Sequence, residues 1–289
     1  MIFRRAALAP VAPPPPPDPK GPLPPDAVLP EPQWFPNPAL CEANCFIARP
    51  GETEWYPAAM MGSQAIARRL TADMTYVRRA LDLMAKLTPD DYTSYMERFY
   101  RDGLARFGNQ WGFADIVTAL LGLADILRPK SYLEIGVRRG RSLCAVASVQ
   151  PDCETALFDI WTKNYAGMEN PGPSFVREEL HKVGYRGNAE FTDGNSHQTI
   201  PAFFKRNPTK TFDIITVDGD HTNLGAAQDI ADVLPHVSIG GAIVFDDVCH
   251  PKHPGLADVW RRMVVENRRF SAWTYSDVGY GVGVAIRKA

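Results

Sequence analysis

Two short apolar runs in the second half of the chain end abruptly in carboxylates. The run FDIITV is followed by Asp218 and Asp220, and the run AIVF is followed by Asp246 and Asp247. Apolar runs of this kind are typical of buried parallel strands, whose carboxyl ends meet at one edge of a sheet. If the two strands are neighbours, about 4.8 Å apart, the acids repel one another unless a proton or a cation lies among them. The pattern therefore predicts a site that needs a cation.

An α/β sheet is expected to position these acids. Strands and helices alternate from residue 131 onward, which predicts a parallel sheet covered by helices on both faces. Only residues 276–279 join the last two strands, so these form a hairpin and one of them runs antiparallel. We expect a Rossmann-like, seven-stranded, mostly parallel sheet with one antiparallel strand near the C-terminus and an N-terminal helical extension. The predicted strands lie near 131–135, 155–159, 189–192, 212–217, 241–246, 270–275 and 280–286, and the predicted helices near 141–149, 173–183, 196–205, 222–235 and 255–268.

The chain before this domain has a different composition. Residues 1–33 are rich in proline, and we expect a disordered or polyproline II tail. Residues 34–108 predict an irregular strap and then helices that form a cap or an oligomerisation segment. One helix opens at Thr88-Pro89-Asp90, and another runs from about Phe113 to Leu127. Residues 109–289 are the predicted main domain.

Composition excludes several classes of protein. A net charge of −2 and a pI near 6.3 give no general attraction to nucleic acid or to an anionic membrane. The longest apolar stretch is too short to span a bilayer, and prolines interrupt the N-terminus before a signal sequence could form. Cys41 and Cys45 are the closest cysteines, without nearby zinc ligands. We expect a soluble, cytoplasmic protein with reduced thiols.

The turn after the first predicted strand, YLEIGVRRGRSL, has the features of a cofactor loop. Gly136 and Gly140 permit a tight turn, and the helix that begins near Ser142 presents free N–H groups. Glu134 stands where a dinucleotide-binding loop has its first glycine. A carboxylate there repels a pyrophosphate but attracts an ammonium or sulfonium group. The loop therefore favours S-adenosylmethionine over NAD.

Two further loops on the same predicted edge support a nucleoside ligand. Asp159 ends the second strand, where an acid can accept both ribose hydroxyls, and Asn195 follows the third, near an adenine edge. Each residue alone could equally be a helix cap or an ordinary loop residue. Three such loops in order on one edge favour the cofactor. The predicted cofactor-binding residues are Glu134, Gly136, Gly140, Ser142, Asp159, Ile160, Gly194, Asn195, Ser196 and Asp218.

The motifs LEIGVRRGRS, LFD, GNS, ITVDGDH and LPHVSIGGAIVFDDV resemble those of class I S-adenosylmethionine-dependent methyltransferases. The paired VDGDH and FDD resemble, more narrowly, the metal-dependent small-molecule O-methyltransferases of the macrocin type and their cephalosporin-hydroxylase-like relatives. The resemblance covers about residues 109–286. It implies methyl transfer to a hydroxyl of a sugar or another natural-product-like small molecule, and Mg²⁺ (or Mn²⁺) at Asp218, Asp246 and Asp247. Carboxylate oxygens are ligands that these hard cations prefer.

Methyl transfer also needs a base for the hydroxyl proton. His221 is the first choice because an imidazole titrates near neutral pH, and Asp220 is the alternative, since macrocin-type relatives have an acid there. Either residue could instead cap the helix that starts near Thr222. His250 and His253 could line the mouth of the substrate site, but we interpret them as solvent-exposed loop residues.

The sequence alone does not determine the acceptor or the partners. Arg138, Arg139 and Arg141 could attract an acidic acceptor, but they could also pair with nearby acids. We expect a small hydroxylated acceptor as partner and possible homo-oligomers through the N-terminal helices. The alternatives are a hydroxylase-like protein that binds S-adenosylmethionine and metal, and a non-catalytic binding subunit of the same fold.

Overall fold

The computed structural model describes residues 18–34, 61–164 and 169–288. Their strands form a seven-stranded sheet. The strands are β1 (Ser131–Ile135), β2 (Glu154–Asp159), β3 (Ala189–Asp193), β4 (Phe212–Val217), β5 (Val237–Asp246), β6 (Phe270–Tyr275) and β7 (Val282–Arg287). They lie in the order β3-β2-β1-β4-β5-β7-β6, and β7 pairs antiparallel with both of its neighbours. The predicted α/β sheet with a single reversed strand is confirmed.

The helices before and between the strands follow the predicted alternation. They are α1 (Ser63–Ala72), α2 (Thr75–Met84), α3 (Asp91–Phe107), α4 (Ile116–Leu127), α5 (Arg141–Val149), α6 (Pro173–Lys182), α7 (Ser196–Arg206), α8 (Asn223–Val233) and α9 (Leu256–Trp260), which continues as a π-helical turn over Arg261–Val265. None of the helices in the described ranges is long and apolar enough to cross a membrane.

Among the element boundaries that differ from the sequence prediction, two have a clear physical reason. The helix expected from Phe113 begins at Ile116, because the Asp115 side chain accepts a hydrogen bond from Thr118 N and closes a capping box. The fifth strand begins at Val237 rather than at residue 241, because Val237 already pairs with Phe212 across an irregular register. The helix predicted to open at Thr88-Pro89-Asp90 begins at Asp91, after Pro89, and its N-cap is Asp90, whose Oδ1 accepts from Thr93 N at 2.7 Å.

Successive side chains of the central strands point to opposite faces and build two apolar clusters. Ile214 belongs to the cluster on one face and Ile215 to the cluster on the other. The first cluster joins α1 to α6, so the helices before residue 108 share their core with the strands. Burying one Leu or Ile side chain contributes about 1.5 to 3 kcal/mol, and many such residues here are fully buried.

Residues 18–34 lie along the second face, although the sequence predicted a disordered tail up to residue 33. Leu23, Leu29 and Trp34 pack against the second cluster. Asn223 at the start of α8 donates from its backbone N to Pro19 O and from Nδ2 to Gly21 O, both at 2.8 Å. The polar backbone of the segment therefore has partners, which a composition-based expectation could not include. Residues 1–17, most of the predicted strap, Cys41 and Cys45 lie outside the described residues.

Candidate active site

The loops after β1 to β5 open along one edge of the sheet. These five strands are parallel, and the order β3-β2-β1-β4-β5 places the loop after β1 between those after β2 and β4. The ends of β4 and β5 are neighbours through the pair Val217 and Phe245. The acids that follow these two strands are therefore brought together, as their position in the sequence predicted.

Gly136 is required where the loop after β1 meets the loop after β4. It has φ 90°, and a Cβ at this position would lie 2.0 Å from the backbone O of Asp218. Its N donates to Phe158 O at 2.9 Å, and Asp218 N donates to Ile135 O at 2.9 Å. Only a residue without a side chain permits this approach. The turn thus brings backbone groups together at the carboxyl ends of three adjacent strands, β2, β1 and β4.

Glu134 is a fully buried acid beneath this turn. Its Oε1 accepts a hydrogen bond from Ser142 Oγ at the start of α5. Its Oε2 is buried and makes no hydrogen bond with the described residues, because the neighbouring Tyr132 hydroxyl donates to Thr216 Oγ1 at 2.9 Å. Burial raises the pKa of Glu134 to about 8. A buried carboxyl with one unsatisfied oxygen fits the cationic ligand that the sequence predicts.

Asp159 organises the loop after β2 through backbone N–H groups. Its Oδ2 accepts from Arg138 N at 2.7 Å, and its Oδ1 accepts from Trp161 N at 2.6 Å. The Trp161 indole Nε1 donates to Asp193 Oδ1 at 2.7 Å. Ile160, between them, is 60% exposed. Sequence reasoning did not single out Trp161, and no spacing in the sequence indicates its contact with the end of β3.

The loop after β3 combines a turn with a helix cap. Gly194 has φ 131° and donates from its N to Asp159 O at 2.9 Å. Asn195 caps α7, because its Oδ1 accepts from His197 N at 2.9 Å. Asn195 is therefore a helix cap, which is one of the two roles that the sequence left open. The loop after β3 also lies beside the loop after β2, which contains Asp159. Gly140 similarly has φ 75° and begins α5 next to Ser142.

Asp220 and His221 are adjacent in the chain but point to different surroundings. Asp220 Oδ1 accepts from Thr222 N at 2.7 Å, and its Oδ2 lies 3.7 Å from His197 Nε2. Thr222 is the N-cap of α8, accepting from Gly225 N at 3.1 Å. Asp220 therefore supports the start of α8. His221 instead contacts the acid after β5.

His221 is held by acceptors at both ring nitrogens. Its Nδ1 lies 3.0 Å from Gly219 O, and its Nε2 lies 3.1 Å from Asp247 Oδ2 and 3.7 Å from Asp218 Oδ1. A carbonyl oxygen only accepts, so Nδ1 carries a proton and Nε2 faces the two acids. Burial lowers the pKa of His221, but the hydrogen bond and negative charge of Asp247 outweigh it and the net shift is upward. The acids therefore favour the protonated form of the imidazole.

The acids around His221 disfavour one another's charge. Burial, followed by the charge of Asp247, raises the pKa of Asp218 well above its usual range. Burial, followed by the charge of Asp218, does the same for Asp246. Asp247 itself has φ 57°, which turns the chain sharply at the end of β5. The crowding of carboxylates that the sequence predicts at this edge is therefore present.

The three carboxylates predicted to bind Mg²⁺ or Mn²⁺ do not form a ligand set as they are placed. Within residues 18–34, 61–164 and 169–288, no group of three or more His, Cys, Asp or Glu side chains is arranged to hold a metal ion. The Nε2 of His221 lies 3.7 Å from Asp218 Oδ1 and 3.1 Å from Asp247 Oδ2, so the imidazole contacts two of the three predicted ligands. Their oxygen chemistry suits a hard divalent ion, but this geometry does not fit one.

His250 and His253 lie closer to the site than the sequence predicted. Both are half-buried rather than solvent-exposed. The ring centroids of His250 and His253 are 4.5 Å apart, and those of His253 and His221 are 5.1 Å apart. The loop after β5 folds back over the start of α8, which is a tertiary contact that loop composition does not predict.

Helix α3 contributes residues to the same edge. The Asp90 Oδ2 lies 3.2 Å from Arg139 Nε and 3.2 Å from Arg141 Nη1. The Arg141 guanidinium lies 4.6 Å from the ring centroid of Tyr92. Burial, followed by the negative charge of Asp246, raises the pKa of Tyr92, although 41% of the residue is exposed. In the sequence, Asp90 stands out only as part of a predicted helix start. Its pairing with Arg139 and Arg141 could not be seen there, because about 50 residues separate it from them.

Comparisons with known proteins agree with the fold. Residues 133–248 match the family model described as "Methyltransferase domain", which is less than half of the chain. A search of the curated proteins found no match.

Solved structures similar to this chain include three methyltransferases. The O-methyltransferase TomG from Streptomyces achromogenes, involved in tomaymycin synthesis and solved in complex with SAM, is 21% identical, with 76% of this chain and 98% of that chain covered and a TM-score of 0.49. The O-methyltransferase from Bacillus cereus, in complex with SAH, is 18% identical, with 76% and 99% covered and a TM-score of 0.49. The SAH-bound methyltransferase PaMTH1 from Podospora anserina is 18% identical, with 74% and 88% covered and a TM-score of 0.47. Similarity at this level says nothing about the acceptor.

The family match and the strand order coincide in the same part of the chain. The matched segment contains β1 to β5, with the glycine turn at Gly136 and the acids after β4 and β5. Residues 133–248 therefore match a methyltransferase domain in the same part of the chain that forms the candidate site.

Proposed function

We propose that this methyltransferase domain transfers a methyl group to a hydroxyl of a small molecule, with His221 as the residue that accepts the hydroxyl proton. S-adenosylmethionine supplies an electrophilic methyl group, so the reaction breaks one S–C bond and forms one O–C bond. The released proton must go to a group at the same edge. The observation that carries the proposal is the placement of His221 Nε2 beside Asp218 and Asp247, next to the cofactor loops.

The choice between the two predicted bases follows from their contacts. Asp220 is engaged with Thr222 N and faces His197, which places it in the support of α8. The His221 ring is oriented by Gly219 O through Nδ1, so its Nε2 is directed at Asp218 and Asp247 at the reaction edge. A base whose ring is fixed through its second nitrogen is the usual arrangement for a catalytic histidine.

The proposal predicts a definite pH dependence of methyl transfer. The pKa of His221 is raised above its ordinary value of 6.5. The imidazole must lose its proton before it can accept another, so kcat/KM should rise with pH through a midpoint above 6.5. A profile that is flat across this range, or that falls, contradicts the role of His221.

The test combines transfer and binding measurements on matched variants. S-adenosylmethionine labelled in its methyl group is incubated with the protein and a panel of sugars, phenols and catechols. We expect His221→Gln to reduce transfer by about 100-fold or more while S-adenosylhomocysteine affinity is kept. Asp220→Asn is the control, because Asn retains the hydrogen bond to Thr222 N and should leave turnover close to that of the wild type. Equal transfer by wild type and His221→Gln would refute the assignment, and transfer to none of these acceptors would refute the proposed reaction.

The metal, the cofactor contacts, the acceptor class, the assembly and the location stay predictions from the sequence. A divalent cation at Asp218, Asp246 and Asp247 is supported by the oxygen chemistry of the three side chains, but their arrangement around His221 gives it no defined step. The loops of Glu134, Asp159 and Asn195 remain the predicted cofactor contacts. A sugar-like or natural-product-like acceptor, assembly through the N-terminal helices and a cytoplasmic location are likewise predictions, and no specific contact favours the hydroxylase-like or non-catalytic alternative.

A further inference from the structure

The three arginines of the loop after β1 differ in their partners. Arg139 is 4% exposed and pairs with Asp90 and Glu169, while its Nη2 donates to Thr88 O at 3.1 Å. Arg141 pairs with the same Asp90. Arg139 and Arg141 therefore pair with nearby acids, which is one of the roles that the sequence left open for all three arginines. Arg138 forms no such pair with a described residue.

Arg138 has buried guanidinium nitrogens without partners. Its Nε and Nη2 are buried and make no hydrogen bond with any described residue. Asp90 and Asp218 are close enough to influence its charge, but neither forms an ion pair with it in the described part of the chain. Burial, followed by the positive charge of Arg141, lowers the pKa of Arg138. A buried guanidinium without acceptors is costly, so this position needs an explanation beyond folding.

The backbone holds Arg138 at the cofactor turn. Arg138 has φ 50°, an uncommon conformation for a residue with a side chain, and its N donates to Asp159 Oδ2 at 2.7 Å. It follows Gly136 by two residues and shares the loop with Gly140. Its side chain thus starts from the turn at the end of β1 and lies within electrostatic reach of Asp218 at the end of β4.

The methionine part of S-adenosylmethionine needs a cation at this edge. That part of the molecule carries one ammonium and one carboxylate. The acids at this edge, namely Glu134, Asp218, Asp246 and Asp247, can accept hydrogen bonds from the ammonium and lie near the sulfonium, but none of them supplies positive charge to the carboxylate. His221 is engaged with Asp247, and Arg139 and Arg141 are engaged with Asp90. Among these cations, Arg138 is the one with buried guanidinium nitrogens that make no hydrogen bond with a described residue.

We propose that Arg138 binds the carboxylate of the methionine part of S-adenosylmethionine. The planar guanidinium can form two charge-assisted hydrogen bonds to a carboxylate, and its Nε and Nη2 are on one side of the group. This inference rests on the proposed function, because it requires that the chain binds this cofactor. An acidic acceptor would offer the same chemistry to Arg138, and the experiment separates the two sources.

Isothermal titration calorimetry with two probes tests the assignment. The probes are S-adenosylmethionine and decarboxylated S-adenosylmethionine, which keeps the sulfonium and the ammonium but lacks the carboxylate. We expect Arg138→Met to bind S-adenosylmethionine roughly 10- to 100-fold more weakly than the wild type and to bind the decarboxylated probe about equally well. Arg138→Lys should recover part of the affinity, since it keeps the charge but not the planar fork.

Two controls guard against a loss of fold. Arg186→Met removes an arginine that pairs with Asp152 at the opposite edge of the sheet, and both probes should bind it as they bind the wild type. Binding of the decarboxylated probe by Arg138→Met shows that the site is formed in that variant.

Each outcome separates the hypotheses. If Arg138→Met binds S-adenosylmethionine as the wild type does, or weakens both probes equally, the inference is wrong although the proposed function stands. If cofactor binding is unchanged but KM rises only for acceptors with a carboxylate, the anion belongs to the acceptor and the cofactor assignment is wrong. If the wild type binds neither probe, the proposed function fails together with the inference.

Discussion

The buried carboxyl group of Glu134 predicts a pH dependence of stability that the variant Glu134→Gln should remove. Glu134 is fully buried, with one oxygen bonded to Ser142 Oγ and the other without a hydrogen bond among the described residues. Burial raises its pKa from 4.5 to about 8. The folded state therefore binds more protons at Glu134 than the unfolded state between these two pH values, and stability falls as pH rises through this range.

The size of the effect follows from the difference in pKa. A difference between 4.5 and about 8 corresponds to about 5 kcal/mol at about 1.4 kcal/mol per pKa unit. Between about pH 5.5 and about pH 8.5, the wild type should lose about 3 kcal/mol relative to Glu134→Gln. The variant keeps the shape of the side chain and an oxygen that accepts from Ser142, but it does not titrate.

Urea denaturation of both proteins without cofactor, at several pH values, measures this difference directly. Subtracting the two free energies of unfolding at each pH removes the contribution of the other titrating groups, provided that they are unchanged by the substitution. The reasoning is wrong if the two curves run parallel, because Glu134 would then have an ordinary pKa. It is also wrong if the wild type gains stability relative to the variant as pH rises.

Three other perturbations test the site and its support. Gly136→Ala should lower stability by about 2 to 4 kcal/mol and abolish cofactor binding, because its Cβ would lie 2.0 Å from Asp218 O; normal S-adenosylhomocysteine titration and thermal unfolding would contradict this. Millimolar Mg²⁺ can enter the acid cluster only if it displaces the His221 ring, so NMR spectra should show the imidazole resonances shifting; no shift would contradict the predicted metal site. Asp90→Asn keeps a good helix cap but removes the charge that pairs with Arg139 and Arg141, so urea denaturation should show a loss of roughly 2 to 4 kcal/mol, and a loss near zero would show that these ion pairs do not stabilise the fold.

The sheet and the location of the site could be predicted because they depend on local patterns. Short runs rich in apolar residues predict most of the strands, and the short link before β7, residues 276–281 in the structure, explains its reversed direction. Parallel strands then bring the residues after each run to one edge. Glu134, Asp159, Asn195 and Asp218 all lie where that rule places them.

The direction in which each side chain points could not be predicted from the same patterns. Asp220 and His221 are neighbours in the chain, and both satisfied the requirements for a base or a helix cap. Only the packing of α7, α8 and the loop after β5 decides that Asp220 faces His197 while His221 faces Asp247. The metal site stays a prediction for the same reason, since it rested on the acids alone and did not include the imidazole of His221, which contacts Asp218 and Asp247.

Asp90 shows why the N-terminal helices belong to the site and are more than a surface for assembly. The same carboxylate that caps α3 through Thr93 neutralises Arg139 and Arg141, which flank the glycine turn after β1. If α3 were displaced, Arg139 and Arg141 would both lose Asp90, and Arg139 would keep only Glu169 as an acidic partner among the described residues. A carboxylate bound at Arg138 would then have further cations beside it. The position of α3 therefore determines which arginine of the sequence RRGR is open to a ligand. Helix α3 lies outside the residues that match the family model, yet its cap residue Asp90 determines the charge around the loop after β1, which lies inside them.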